Sequence, residues 1–130
     1  MGLTCRDIMT APRLTFPPSR RLKTSAEFER CFQRKRSVAD AVLIVYACEN
    51  GREYPRLGCS VSRKVGGAVV RNRYKRLFRE AFRLTQHDLP AGVDLVLIPR
   101  GGPVPTQQAV KDSLVKLAWQ AARKLEAKPG

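Results

Sequence analysis

The chain has 130 residues, which is room for one compact domain with a short extension but not for two domains. Hydrophobic residues make up 43% of it, so wholesale disorder is excluded. The 25 lysine and arginine residues outnumber the 11 acidic ones and give a net charge of +14, which favours a polyanionic partner. The longest apolar runs, residues 41–48 and 93–99, are far shorter than the ~20 residues of a membrane span, so no transmembrane segment is expected.

The cysteines and the histidine argue against a metal site. Cys5, Cys31, Cys48 and Cys59 are spaced 26, 17 and 11 positions apart without a Cys-x-x-Cys pair, and His87 is the one histidine. We therefore expect four reduced thiols and no bound metal. The start of the chain lacks the apolar core of a secretory signal, which favours a cytoplasmic protein.

The chain is predicted to begin with an irregular segment followed by a helix. Residues 1–20 contain three prolines and no periodicity, which predicts a flexible N-terminal extension ahead of a folded domain over residues 21–130. Thr24 and Glu27 have the spacing of a capping box, in which each side chain satisfies a backbone N–H of the other, so a helix should run from there to about residue 36. Its apolar residues Phe28, Cys31 and Phe32 form one narrow stripe.

Strands and two further helices follow. Residues 41–48 are rich in β-branched and aromatic side chains and precede the turn signal Asn50-Gly51, and residues 57–62 form a second strand, which we expect to pair antiparallel with the first. A helix from residue 68 to about 86, a third strand at residues 93–98 and a third helix from residue 106 complete the pattern. The sequence therefore predicts a single-domain α+β fold, an αββαβα two-layer sandwich.

The second helix and the turn before it concentrate the positive charge. Residues 62–83 contain eight cationic residues and one acidic residue, Glu80, the expected ion-pair partner of a neighbouring arginine. At about 100° per residue the apolar side chains share one face. They are Val70, Leu77, Phe78, Ala81 and Leu84. The opposite face carries Arg71, Asn72, Lys75, Arg76, Arg79 and Arg83. Arginine can bind phosphate with two hydrogen bonds and asparagine can bind a base edge or a sugar hydroxyl, so this face favours a nucleic acid. A solvated basic face, a membrane-surface helix and a calmodulin-type target helix are the alternatives.

Phe28 and Phe32 allow two interpretations. Aromatic residues four positions apart on a helix commonly belong to a core. The apolar stripe here is so narrow that the rings could instead face a groove beside Tyr46 and stack on bases of a single strand, a contact worth ~1–3 kcal/mol per base. The spacing alone leaves both open.

The basic helix also carries a specific motif, Arg71-Asn72-Arg73-Tyr74-Lys75-Arg76. It follows Ser62-Arg63-Lys64-Val65-Gly66 and is accompanied by Arg21-Leu22-Lys23 and by Gly58-x-Ser60-Val61-Ser62. From about residue 21 to 125 the chain resembles the protein subunit of bacterial ribonuclease P. The resemblance implies a fold similar to the second domain of ribosomal protein S5, with a left-handed βαβ crossover that departs from the usual hand.

The resemblance also implies how the work is divided between protein and RNA. The catalytic RNA would remove the 5′ leader of precursor tRNA with Mg²⁺, held mainly by that RNA, while a monomeric protein without catalytic residues or metal ligands binds both RNAs. The implied RNA-binding residues are Arg63, Lys64, Arg71, Asn72, Arg73, Lys75, Arg76 and Arg79. The implied leader-binding cleft consists of Phe28, Phe32 and Tyr46. The sequence has one histidine, His87, and no evident carboxylate pair, which agrees with a non-catalytic protein. The alternative to a ribonuclease P subunit is a structural RNA-binding protein of ribosomal type.

Overall fold

Three helices and four strands make up the computed structural model, which describes residues 20–100 and 103–126. Their order is α1 (Ser25–Arg34), β1 (Ser37–Ala39), β2 (Leu43–Glu49), β3 (Arg56–Cys59), α2 (Ala68–Thr85), β4 (Val93–Pro99) and α3 (Gln107–Glu126). The α+β class and the three helices are confirmed, and β1 is a short strand that the sequence did not predict. The predicted N-terminal extension lies outside the described residues except for residue 20. No helix in the described ranges is long and apolar enough to cross a membrane.

The capping box of α1 forms as the sequence predicts. The Thr24 hydroxyl accepts from the Glu27 backbone N–H at 3.2 Å, and the Glu27 carboxylate accepts from the backbone N–H groups of Thr24 and Lys23 at 3.0 and 2.8 Å. These two backbone hydrogen bonds lower the pKa of Glu27 to about 2. The helix ends two residues earlier than predicted, because Lys35 adopts a left-handed conformation with φ of 55° and turns the chain toward β1.

The sheet has the order β1-β2-β4-β3, so the predicted antiparallel pairing of the strand at residues 41–48 with the strand at residues 57–62, which correspond to β2 and β3, is wrong. β4 lies between them, antiparallel to β2 and parallel to β3. The Asn50-Gly51 signal suggested a tight hairpin, but the connection passes the start of β4 instead, where Asn50 donates from its backbone N–H to Gly92 and from its side chain to Asp94. Six of the seven residues of β4 are buried, as expected for a central strand covered on both faces.

The two faces of the sheet pack differently. The main core lies between one face and the helices α2 and α3, and forms the two layers that the sequence predicts. α1 lies on the other face and adds a partial third layer through a smaller cluster around Leu22, Cys31, Cys48 and Val96. Arg21 bridges to Leu57 of β3 and ties the first described residues to the sheet. Because α1 covers only part of its face, polar and aromatic groups beside it remain accessible.

Candidate nucleic-acid interface

α2 is anchored by its aromatic residues. Tyr74, Phe78 and Phe82 are buried against the sheet and α3, and the Tyr74 and Phe78 rings lie 5.8 Å apart between centroids. The predicted apolar face included neither Tyr74 nor Phe82. Of the predicted apolar residues, Phe78 and Ala81 are buried, whereas Val70, Leu77 and Leu84 are only partly buried, so the buried face is rotated around the helix relative to the predicted one.

The exposed side of α2 forms a groove of about 430 Å³ that we call the basic groove. Its walls are Arg21, Asn72, Lys75, Arg76, Arg79, Glu80 and Arg83. Glu80 pairs with Arg83, as the sequence predicts, and this hydrogen-bonded pair lowers the pKa of the Glu80 carboxyl. With its acidic wall residue already paired, the groove presents mainly cations, a surface suited to phosphate.

The other predicted RNA-binding residues lie around this groove. Arg73 is exposed and lines a neighbouring cavity with Arg76 and residues 104–107, between α2 and the start of α3. Arg63 and Lys64 are exposed in the single turn before α2. Arg71 is only partly exposed, and its buried Nε has no hydrogen-bond partner within the described ranges. The predicted set is therefore spread over two sides and one end of α2, with Asn72, Lys75, Arg76 and Arg79 gathered in one groove.

An aromatic patch, formed by Phe28, Phe32 and Tyr46, lies on the other face of the sheet. All three side chains are partly buried at the edge of the smaller cluster and outside the main core. The rings of Phe32 on α1 and Tyr46 on β2 meet edge to face, with centroids 5.0 Å apart and planes at 82°. The rings therefore contribute to packing and also retain exposed surface.

Gly58 of β3 makes room for the third ring of the patch. A Cβ atom at this position would lie 2.7 Å from Cε1 of Phe28 and 2.9 Å from Cδ1 of Leu22. No real Cβ contact is that short, so the absence of a side chain lets the Phe28 ring rest directly on the strand. The glycine thereby positions one end of the aromatic patch.

A cavity of about 360 Å³ connects the aromatic patch with the basic groove. Its walls include Phe28 and Gly58 on the side of the patch, and Arg21 and Arg79, which also line the groove. Cys59 lies in the same cavity, and its burial raises the pKa of its thiol to about 11, against the opposing effect of Arg79 and Lys75. Aromatic and cationic surfaces are thus continuous around the edge of β3.

Arg21 belongs to this interface although the sequence did not assign it there. It is placed by the backbone, since Arg21 bridges to Leu57 and the Leu22 N–H donates to the Leu57 carbonyl at 2.9 Å. Its place in the triplet Arg21-Leu22-Lys23 was visible in the sequence. Arg21 lies close to α2 because β3, to which it bridges, is an edge strand of the sheet. The predicted pairing of β3 with β2 was wrong, so the sequence did not place Arg21 beside α2.

A buried group of charges holds α1 on the sheet. Arg56 of β3 donates from Nε and Nη2 to the two carboxylate oxygens of Asp94, both at 2.7 Å, and from Nη1 to Glu27 at 2.8 Å. Arg30 of α1 donates to the same Asp94 carboxylate at 2.7 Å. Hydrogen bonding to Asp94 raises the pKa of the Arg56 guanidinium. The sequence did not reveal this network, because its members are far apart along the chain.

One group of metal-type ligands forms within the described ranges, namely Cys31, Cys48 and Asp94. Both carboxylate oxygens of Asp94 already accept hydrogen bonds from arginines, so the carboxylate is committed to the charge network. His87 is exposed in the turn after α2, at the position the sequence predicts.

The fold and its cationic and aromatic surfaces define a small α+β protein of the nucleic-acid-associated class. A family model for ribonuclease P matches residues 16–123, and this chain belongs to that family, the protein subunit of the bacterial ribonucleoprotein endoribonuclease. The general role of the family is processing of the 5′ end of tRNA.

Individual relatives agree with this assignment. The ribonuclease P protein component of Brevibacillus brevis is 43% identical over 105 residues, which cover 79% of this chain and 83% of the relative. The solved ribonuclease P protein of Thermotoga maritima superposes with a TM-score of 0.69 at 31% identity, covering 84% of this chain and 98% of that one. For a solved Staphylococcus aureus ribonuclease P protein the TM-score is 0.65 at 36% identity, with 75% and 91% of the two chains covered.

Proposed function

We propose that this protein binds the catalytic RNA of ribonuclease P and the single-stranded 5′ leader of precursor tRNA, and thereby assists removal of the leader. One observation carries the proposal: the aromatic patch and the basic groove adjoin the same cavity. Arg21 and Arg79 line both this cavity and the basic groove, and Phe28 of the aromatic patch forms part of the cavity wall. A single strand needs cations for its phosphates and rings for its bases, and here the two surfaces adjoin.

The two surfaces suit different parts of the RNA. The basic groove and the neighbouring cations at Arg63, Lys64, Arg71 and Arg73 offer sequence-independent phosphate contacts to folded RNA. The aromatic patch offers stacking to unpaired bases, which a folded duplex does not expose. We assign the groove to both RNAs and the patch to the leader.

Catalysis and Mg²⁺ are assigned to the RNA partner. The groove is cationic, and Glu80, the carboxylate in its wall, is already paired with Arg83, so the groove does not fit a Mg²⁺ ion. The protein acts by binding and orienting RNA, as one copy within the ribonucleoprotein. A precursor tRNA substrate places this activity in the cytoplasm.

Paired binding measurements test the proposal. Affinity for precursor tRNA should exceed affinity for mature tRNA in the presence of the catalytic RNA, and it should fall steeply with salt. Four phosphate contacts on a single strand would give a slope of about −3 for log affinity against log salt concentration. A flat salt dependence would contradict phosphate binding by the basic groove, and equal affinity for the two tRNA forms would favour a purely structural RNA-binding protein.

Charge-removing variants locate the interface. Arg76→Ala and Arg79→Ala should each weaken RNA binding with an unchanged circular dichroism spectrum, because both side chains are exposed on the groove. Lys124→Ala is the matched control, since this exposed lysine lies near β1 at the opposite edge of the sheet and donates to the Ser37 carbonyl. Equal losses in all three variants would show that only net charge matters.

A further inference from the structure

Two cysteines meet beneath the aromatic patch. Cys31 lies on the inner side of α1 and Cys48 on β2, and their Sγ atoms are 2.9 Å apart. Both residues are buried, at 0% and 1% exposure. The thiols are not bonded to each other, and the contact joins two elements separated by 17 positions in the chain. A pair in this arrangement can form a covalent link between helix and sheet.

The geometry fits oxidation better than metal binding. Two thiolates that share a tetrahedral zinc ion at ~2.3 Å each would lie about 3.8 Å apart, well beyond the observed contact. The third ligand of such a site would have to be Asp94, whose carboxylate already accepts three hydrogen bonds from arginines. The sulfur atoms are therefore placed for reaction with each other rather than for a shared metal ion.

The two thiols are electronically unequal. The hydrogen bond with Cys31 and the nearby Arg30 guanidinium lower the pKa of Cys48, although burial and Asp94 oppose its ionisation. The hydrogen bond with Cys48 and burial raise the pKa of Cys31. Because the Arg30 guanidinium favours the Cys48 thiolate, we assign Cys48 as the nucleophile of the pair and Cys31 as the resolving thiol.

We propose that Cys31 and Cys48 form a redox site that a peroxide converts to an intramolecular disulfide tying α1 to β2. Cys48 gives up its proton and its sulfur attacks one peroxide oxygen, so that the O–O bond breaks and a sulfenic acid forms, while the leaving hydroxide takes up that proton and departs as water. The Cys31 sulfur then attacks the sulfenic sulfur, the S–O bond breaks, and a second water leaves with the Cys31 proton. Overall, two thiols and one hydrogen peroxide give one disulfide and two waters.

The burial of the pair controls its rate. A peroxide reaches the sulfur atoms only when α1 lifts from the sheet, so oxidation of the native protein is slow and gated by local opening. Once formed, the disulfide closes a short loop and opposes further opening. Phe32 follows Cys31 on α1, and Tyr46 lies on the same face of β2 as Cys48, so the link also fixes the spacing of those two rings. The consequence for RNA rests on the proposed function, whereas formation of the disulfide does not.

The test uses the full chain with Cys5→Ser and Cys59→Ser, so that only the pair can react. Hydrogen peroxide is added, remaining thiols are alkylated under denaturing conditions, and intact mass and peptide maps are recorded. Both thiols should disappear together, the mass of the chain should fall by two hydrogen atoms, and no dimers should form. Urea at a concentration too low to unfold the protein should accelerate the oxidation. The folding equilibrium constant of the oxidised protein should rise roughly two-hundredfold, as closure of a loop spanning 17 positions implies. The matched control adds Cys31→Ala, which should prevent any disulfide.

Three results would overturn the proposal. The first is full retention of both thiols after a peroxide exposure that oxidises free cysteine. The second is a disulfide that lowers the stability of the fold. The third is tight zinc binding to the reduced pair that blocks oxidation. A separate measurement compares the affinity of reduced and oxidised protein for precursor and mature tRNA, and a change confined to precursor tRNA would connect the redox site with the aromatic patch. An unchanged affinity would refute that connection alone, and failure of the proposed RNA function would leave the disulfide result intact.

Discussion

Removing the Asp94 carboxylate should destabilise the fold several times more than removing the Glu49 carboxylate, although each accepts two hydrogen bonds from a single arginine, and Asp94 accepts a third from Arg30. Arg56 donates two hydrogen bonds of 2.7 Å to Asp94, and Arg34 donates two of 3.0 and 2.9 Å to Glu49. The surroundings differ. The side chains of Arg56 and Asp94 are 7% and 0% exposed, whereas those of Arg34 and Glu49 are 38% and 58% exposed.

The expected magnitudes follow from burial. Loss of one partner from a buried pair leaves an uncompensated charge and costs about 3–5 kcal/mol. Arg56 retains its hydrogen bond to Glu27, so Asp94→Ala should fall near the lower end, about 3 kcal/mol. The solvated pair should contribute about 0.2–1 kcal/mol, so Glu49→Ala should lie within that range. A domain of ordinary stability, ~5–15 kcal/mol, remains folded after either change.

Urea denaturation of the two variants beside the unmodified protein measures the difference. Asp94→Asn keeps the size of the side chain and one acceptor oxygen, so its loss of unfolding free energy should lie between those of the unmodified protein and Asp94→Ala. This variant also keeps the test valid if the alanine variant does not fold. Precursor tRNA affinity should fall in the Asp94 variants, because α1 carries two rings of the aromatic patch, and should be unaffected by Glu49→Ala. A cost below 1 kcal/mol for Asp94→Ala would refute the reasoning, because burial would then not distinguish the pairs.

Three further outcomes are expected. Phe28→Ala should lower affinity for precursor tRNA by about 1–3 kcal/mol with little effect on mature tRNA, and it should destabilise the fold less than the ~3–5 kcal/mol of Phe78→Ala in the main core. A severe stability loss without a leader-specific effect would remove Phe28 from the interface. Gly58→Ala should displace the Phe28 ring and weaken leader binding, yet add nothing in a Phe28→Ala background, as a double-mutant binding cycle can show. The folded pKa of Glu27 is about 2, below its ordinary 4.5, so its stabilising effect is present above the ordinary value and disappears as the pH falls toward 2. Urea titrations at pH 7 and at about pH 3 should therefore show that the free energy of unfolding falls less on acidification in Glu27→Gln than in the unmodified chain. Some loss should remain in the variant, because the pKa of Asp40 is also lowered to about 2.

Local features of the fold could be predicted from the sequence, and long-range pairing could not. The capping box of α1 involves residues three positions apart, so the sequence contains all of its information. The Asn50-Gly51 signal is also local, but the strand that lies beside β2 in place of β3 is β4, more than 40 positions away. Six of the seven residues of β4 are apolar, with Asp94 as the exception, and this nearly continuous run was the sign in the sequence that the strand is buried on both faces and lies within the sheet.

The candidate interface likewise combines local features that the sequence predicts with long-range contacts that it does not. Charges on α2 repeat with the helical period, so the sequence placed Asn72, Lys75, Arg76 and Arg79 on one face, and the structure gathers them in one groove. Arg21 joins that groove only because β3 lies at the edge of the sheet, with the chain before α1 bridged to it. The same topology exposes one sheet face beside α1 and leaves Phe28 against a glycine. Periodicity thus determines which side chains share a helix face, whereas the strand order determines that the cationic and aromatic surfaces meet, and this meeting is what a single-stranded RNA ligand requires.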